Sequence, residues 1–340
     1  MRALVVRLSS IGDVVHTLPA LAALKVVGWE VGWAVEPASR PLLTGHPLLS
    51  HLVPVPPARR FVLGEARWAR DALRGFGYDV ALDFQGLWKS VAWARLSGAP
   101  RVLGFSRPYR REGLSSLLLT EEMDQPPEAS HVIDKNLALL RGLGIEAIGA
   151  REFPFPAWTP EAQATATDLR DLGLRDFVVL NPGGGWQGKL WPAERYGAVA
   201  AGLRANGLRS LVSWGPGEER LADRVVAASD GAALKCHPTT LPEYAELARR
   251  ARLVVAADTG PLHIACAVGT PVVGIYGPTD PARNGPFSPA DVVVRRTPLC
   301  SPCHKQRCAI HEGVMLAITD AEVLAAIERR LNAGPRAIAL

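Results

Sequence analysis

The sequence predicts an α/β protein built from two doubly wound, Rossmann-like parallel-sheet domains. Three observations lead there. The first half alternates short apolar runs with helical stretches. A proline-rich break follows at residues 152–160. A second alternating series then fills the rest of the 340-residue chain. Repeated β-then-α order favours parallel sheets covered by helices on both faces.

In the first half, strands are expected at 2–8, 30–35, 51–55, 79–83 and 101–104, with helices near 14–25, 64–76 and 88–97. The break carries Pro154, Pro156 and Pro160. So many prolines continue neither a helix nor a central strand. The domains are therefore expected to be 1–155 and 156–340. Second-half strands are expected at 176–181, 208–213, 252–257 and 271–276. Thr319-Asp320-Ala321-Glu322 reads as a capping box that opens a final helix. Two similar halves suggest a duplicated architecture facing a cleft.

No apolar run reaches the ~20 residues that a membrane-spanning helix needs. The start, Met1 to Leu8, reads as a strand rather than a signal peptide, so a cytoplasmic protein is expected. Net charge is +5. Residues 59–111 hold eleven Lys/Arg against four acids, more than the whole excess. Such a stretch suits an anionic partner: nucleic acid, acidic lipid or a phosphorylated saccharide. Stacking aromatics at a recognisable spacing are missing, which argues against nucleic acid. An unevenly charged solvated surface is the plain alternative.

Three loops carry candidate chemistry. Ser9-Ser10-Ile11-Gly12-Asp13 follows the first strand and opens a helix. Gly12 allows close approach to the backbone, and Asp13 is placed as a general base would be. Ser10 or Asp13 as a mere helix cap explains the same residues. Asn181-Pro182-Gly183-Gly184-Gly185-Trp186-Gln187-Gly188-Lys189 follows a second-half strand. Its glycines resemble an anion-binding loop, and Lys189 is a point charge suited to phosphate. It is neither a Walker A loop nor a dinucleotide fingerprint, and a simple glycine turn fits too. Asp258-Thr259-Gly260-Pro261-Leu262-His263 ends a strand and starts a helix, expected to begin at Pro261. The amides of Thr259, Gly260, Leu262 and His263 are expected to point from that helix end toward a diphosphate. Thr279, in Tyr276-Gly277-Pro278-Thr279-Asp280, lies on a second loop of the same edge, and Glu218 or Glu219 offers an acid for ribose hydroxyls.

Cys236 and Cys266 stand alone and are expected to be buried. Cys300, Cys303, Cys308 and His311 approach a zinc pattern without matching it, and a pocket-lining loop of reduced thiols is the preferred reading.

Together these segments resemble glycosyltransferase family 9, the ADP-heptose:lipopolysaccharide heptosyltransferases. Arg7-Leu8-Ser9-Ser10-Ile11-Gly12-Asp13-Val14-Val15-His16-Thr17-Leu18-Pro19 is similar to the family's amino-terminal signature, nearer heptosyltransferase I than heptosyltransferase II in style. Asp83-Phe84-Gln85-Gly86-Leu87-Trp88-Lys89-Ser90 resembles its acceptor-domain motif. The Asp258–His263 and Tyr276–Pro281 segments resemble its nucleotide-sugar motifs. The resemblance implies a GT-B fold, with acceptor on the first domain and ADP-sugar on the second. It implies inverting transfer, Asp13 as base and Lys189 on the phosphates. Glu218, Asp258, Thr259, Gly260, Leu262, His263 and Thr279 fall on the donor side. Ser10, Gly12, Arg59, Arg60, Lys89, Arg111 and Lys135 fall near the acceptor.

The implied partners are a nucleotide-sugar donor, which is a substrate rather than a cofactor, and an anionic lipopolysaccharide or other glycolipid acceptor of the Kdo region. Peripheral contact with the inner membrane fits such an acceptor; nucleic acid does not. No Asp-x-Asp pair offers itself to a divalent metal, so no cofactor or metal is expected. The sequence leaves two other readings: a family 9 transferase with a different envelope acceptor, and a sugar-nucleotide epimerase of the same fold.

Overall fold

The computed structural model describes residues 1–57, 62–301 and 309–334, with backbone alone at 309–312. The chain divides into two compact units, Met1–Ala157 and Trp158–Leu340.

Unit 1 holds six parallel strands: β1 Arg2–Val6, β2 Glu30–Val35, β3 His51–Pro54, β4 Val80–Asp83, β5 Arg101–Phe105 and β6 Glu121–Met123. Their order is β3-β2-β1-β4-β5-β6. Its helices are α1 Ile11–Val15, α2 Leu18–Val26, α3 Leu63–Phe76, α4 Trp88–Leu96 and α5 Val132–Leu139. The central strands read as continuous apolar runs because helices cover both faces of the sheet. In β1, all residues after Arg2 are buried.

Unit 2 repeats the plan with β7 Phe177–Asn181, β8 Arg209–Val212, β9 Ala233–Lys235, β10 Leu253–Ala257, β11 Val272–Tyr276 and β12 Val292–Arg295. The order is β12-β11-β10-β7-β8-β9, again all parallel. Numbered within the unit, this is the same 3-2-1-4-5-6 arrangement as unit 1. Its helices are α6 Thr159–Asp171, α7 Ala193–Ala205, α8 Glu219–Ala228, α9 Leu241–Arg250, α10 Gly260–Ala267, α11 Pro281–Asn284, α12 Ala309–Leu316 and α13 Asp320–Asn332. The expected capping box at Thr319 is present, with Thr319 Oγ1 accepting from the Glu322 amide. A buried Arg330–Asp291 ion pair at 2.9 Å fastens α13 to the segment before β12. Among the described residues no helix is long and apolar enough to cross a membrane.

Some boundaries differ from the sequence reading. The helix expected over 14–25 is two helices, α1 and α2, broken at His16 and Thr17. Thr17 Oγ1 donates to the Asp13 carbonyl at 2.8 Å, and Pro19 sits in the first turn of α2. The apolar periodicity runs through this break and hides it. Pro160 belongs to the first turn of α6, where its missing amide costs nothing. The edge strands β6, β9 and β12 were not expected; each is short and partly exposed, so none shows a long apolar run.

In both sheets the strand order reverses at the middle, between β1 and β4 and between β7 and β10. Ligands of open α/β sheets bind outside the carboxyl ends of the strands at such switch points. The loops after these four strands are therefore the places to look for chemistry.

Candidate active site

In unit 1 the loop after β1 carries Ser10 as N-cap of α1. Asp13 is in the first turn, and its Oδ2 accepts from the Ser10 amide at 3.2 Å and the Ser10 hydroxyl at 3.0 Å. Asp13 thus does cap the helix. It also remains more than one-third exposed, with Oδ1 lying 3.8 Å from the buried guanidinium of Arg7. Arg7 is fixed by Thr17 Oγ1, and Asn136 of α5 donates to that same oxygen. A buried cation therefore stands behind the candidate base and holds its carboxylate in one orientation. Gly12 is buried.

The loop after β4 grips this one. Gln85 Oε1 accepts the Leu8 amide at 2.9 Å. Lys89 Nζ lies 3.3 Å from Ser9 Oγ and 2.7 Å from Glu36 Oε1. The Lys89 charge is thus matched by a carboxylate at the end of β2. Asp83 does not face solvent. It pairs with Arg110 at 2.5 Å, with both side chains almost wholly buried, and its other oxygen accepts the amides of Gln85 and Gly86. Lys135 Nζ donates to the Tyr109 carbonyl at 2.6 Å, and Arg111 is exposed. Arg59 and Arg60 lie outside the described residues.

The basic stretch is consequently less of a free patch than its composition suggests. Arg110 is internal, Arg101 pairs with Glu121 and Lys89 with Glu36, and Arg70 pairs with Asp71. Two of those acids lie outside the counted window, so a linear charge count misses them.

In unit 2 the glycines after β7 have steric causes. A Cβ on Gly183 would fall 2.1 Å from Glu218 Oε2, and one on Gly184 would fall 2.7 Å from Thr259 Cγ2. Glu218, the N-cap of α8, accepts the Gly184 amide at 2.8 Å and the Gly215 amide at 2.9 Å. Glu219 turns instead to Lys235, at 3.3 Å. Of the two acids considered for ribose, Glu218 is the one against the glycine loop.

Lys189 ends a single 3-10 turn, Gln187–Lys189. Its Nζ lies 2.6 Å from Asp258 Oδ2 and 4.6 Å from the centre of the Trp186 ring. Asp258 Oδ1 meets His263 Nε2 at 3.1 Å and accepts from Asn284 Nδ2 at 2.8 Å. Burial alone would raise the Asp258 pKa. The His263 hydrogen bond and the Lys189 charge outweigh it and hold the carboxyl well below its ordinary value.

The helix end differs from expectation in detail. Helix α10 starts at Gly260, and Pro261 follows as its second residue. The His263 amide is not available to a ligand, because it donates to the Thr259 carbonyl at 3.3 Å. It is the fourth helical residue, the first able to reach a carbonyl four positions back. His263 offers its ring instead. The Thr259 hydroxyl donates to the Ala257 carbonyl at 3.2 Å. The Leu262 side chain is fully buried, so only its backbone is a candidate. Thr279 Oγ1 is buried with no hydrogen-bond partner among the described residues.

Cys236 and Cys266 are buried, and burial pushes the Cys236 thiol up to about 11. Cys300 is exposed; Cys303, Cys308 and the His311 side chain lie outside the described residues. Among the described residues, no three His, Cys, Asp or Glu side chains are grouped as a metal site.

The residues in these networks that were not singled out from the sequence include Arg7, Glu36, Gln85, Asn136 and Asn284. Arg7 and Gln85 sit inside the quoted motifs, which is the one signal that pointed to them. Glu36 directly follows β2, Asn136 lies in α5 and Asn284 ends α11, and only the fold brings them to their partners.

Comparison with known proteins gives the family and the fold. Residues 67–313 match glycosyltransferase family 9 (heptosyltransferase). Lipopolysaccharide heptosyltransferase 1 of Pseudomonas aeruginosa is 31% identical over 322 residues, covering 91% of this chain and 87% of that protein. Two solved structures superpose with a TM-score of 0.76. One is E. coli heptosyltransferase WaaC with ADP, 25% identical and covering 98% of this chain and 99% of that one. The other is WaaC with ADP-2-deoxy-2-fluoro heptose, 26% identical and covering 96% and 99%. The expected GT-B fold, two Rossmann-like units, is the one found. The chain belongs to glycosyltransferase family 9 and is a glycosyltransferase.

Proposed function

We infer that this enzyme moves a heptose from ADP-heptose to the inner core, the Kdo region, of lipopolysaccharide, with inversion at the anomeric carbon. The observation that carries the reading is the Lys189–Asp258–His263–Asn284 network at the start of α10. It sets an ammonium group and the helix amides of Gly260 and Leu262 at the carboxyl end of β10, where a diphosphate is stabilised by directed N–H groups and the helix dipole. Two supports come from relatives: the P. aeruginosa protein is a lipopolysaccharide heptosyltransferase, and WaaC has been solved with ADP and a fluorinated ADP-heptose.

In unit 1, Asp13 removes the proton from the acceptor hydroxyl as that oxygen attacks the anomeric carbon. In unit 2, the bond to the ADP oxygen breaks, and Lys189 balances the charge left on the diphosphate. Asp258, almost wholly buried, orients Lys189 and His263. Glu218 takes the ribose hydroxyls, and Thr259 and Thr279 line the donor side. Ser10, Gly12, Lys89, Arg111 and Lys135, with Arg59 and Arg60, receive the anionic acceptor. Lys189 and the helix end do the work a divalent metal does elsewhere, so no metal and no cofactor is required. The acceptor is a glycolipid of the inner membrane's cytoplasmic face, and the enzyme works there without crossing it.

The epimerase alternative is not favoured, given membership in a glycosyltransferase family. A family 9 transferase with another envelope acceptor is separated by one experiment. ADP release is followed with several nucleotide-heptoses against lipopolysaccharide cores truncated at successive sugars. Release with ADP-heptose and a heptose-free Kdo core supports the reading. Turnover confined to a different donor or acceptor overturns it.

A further inference from the structure

We propose that unit 1 docks on an anionic lipid leaflet through the rim around the carboxyl edge of its sheet. The proposal deepens the glycolipid-acceptor reading and rests on it. The rim is built by the start of α3, the start of α4 and the segment after β5. It exposes Leu63 at the start of α3, Trp88 at the start of α4, and Tyr109 and Leu114 after β5, with relative exposures of 56%, 45%, 39% and 52%. Leu117, 77% exposed, follows Leu114 by three residues in the 3-10 turn Gly113–Leu118, so the two side chains stand in line.

Trp88, Tyr109, Leu114 and Leu117 belong to one neighbourhood, and Leu63 lines a cavity with Lys89 of α4. The Trp88 amide donates to Glu112 Oε2 at 2.6 Å, tying the start of α4 to the segment before Leu114. Gly113 lies against Arg107, and Gly86 against Arg110 and Arg111. Arg67 on α3, and Arg107 and Arg111 beside the 3-10 turn, are exposed as well.

Clustered exposed apolar groups mark an interaction surface, and their chemistry names the partner. Aliphatic tips and indole or phenol rings among arginines match the layer where acyl chains meet acidic headgroups. A nucleic acid would neutralise the arginines but leave Leu63, Leu114 and Leu117 in water. The same edge carries Ser10 and Asp13, so docking brings the candidate base to the height at which a lipid-anchored sugar leaves the leaflet.

The test floats the full chain with vesicles of phosphatidylethanolamine and phosphatidylglycerol, and with vesicles of phosphatidylcholine. Wild type is expected to bind the anionic vesicles, less at high salt, and the neutral ones weakly. Arg107→Glu should lower partitioning by at least about fivefold, the weight of one basic residue near an acidic surface. Leu114→Glu with Leu117→Glu should lower it about tenfold or more. Both leucines are solvent-exposed, and an unchanged melting temperature confirms folding; Leu117→Ser provides a milder variant. Turnover of a deacylated, water-soluble acceptor should be unchanged in the leucine variants, while turnover of a vesicle-embedded acceptor falls. Variants that float like wild type, equal binding to both vesicle types, or a preference for duplex DNA that the variants lose would overturn the proposal. Flotation needs no catalysis, so failure of every acceptor to react would refute the transferase reading while docking is still decided.

Discussion

Lys189 meets Asp258 across 2.6 Å, and the carboxylate is only 2% exposed. The cation is thus placed by a buried anion rather than by its own flexible stem. An ammonium held this way needs little reorganisation when a diphosphate arrives, which is where electrostatic catalysis gains most. Lys189→Ala is expected to raise the ADP-heptose KM and lower kcat together, while the acceptor KM changes little. Steady-state kinetics with each substrate varied separately checks this. A rise in acceptor KM alone would move Lys189 off the donor side.

The same pair sets a pH dependence. The folded-state pKa of Asp258 is lowered from 3.8. Its contribution to stability is therefore fully present above that ordinary value and is lost as pH falls through the lower folded value, because the unfolded chain takes up the proton first. Urea midpoints measured across the acid range should fall more steeply for wild type than for Asp258→Asn below about pH 4. Parallel curves would show that the carboxylate is not held ionised.

Asp83 and Arg110 make an ion pair with side-chain exposures of 0% and 1%. Removing one partner leaves a buried charge uncompensated, at a cost of about 3–5 kcal/mol. Arg110→Ala should lose stability on that scale in chemical denaturation. Asp83→Asn with Arg110→Met should recover part of it, since both charges are then gone. The Asp83 loop carries Gln85, so the single variant should also weaken acceptor turnover.

The sequence reading reached the sheets' middles and the edge strand β3, and missed the edges β6, β9 and β12. β1, β7, β10 and β11 are runs of buried apolar residues and are visible as such. β6 is Glu-Glu-Met, and it is a strand only because β5 lies beside it. The site divides the same way. Asp13, Lys189 and the Asp258 segment announce themselves by glycines and charge at strand ends. Glu36 reaches Lys89 from 53 residues away, and Asn284 reaches Asp258 from 26, so neither pairing has a local signature. Arg110 shows the opposite error, a buried structural charge counted as surface.

In the proposed donor site Lys189 and the start of α10 do the work of a divalent metal, so transfer is expected to proceed at full rate in excess EDTA. Activity lost on chelation and restored by Mg²⁺ or Mn²⁺ would contradict the proposed donor site.

The central claim is that Asp13 is the base for heptose transfer, beyond its role as a helix cap. Asp13→Asn keeps the side chain's size and an oxygen for the Ser10 amide while removing the basic group. The deciding measurement is single-turnover transfer from ADP-heptose to a heptose-free Kdo core, with ADP-heptose binding measured on the same preparations. The account predicts transfer slower by ~10²–10⁴ with donor affinity nearly unchanged. Transfer by Asp13→Asn at close to the wild-type rate would contradict it.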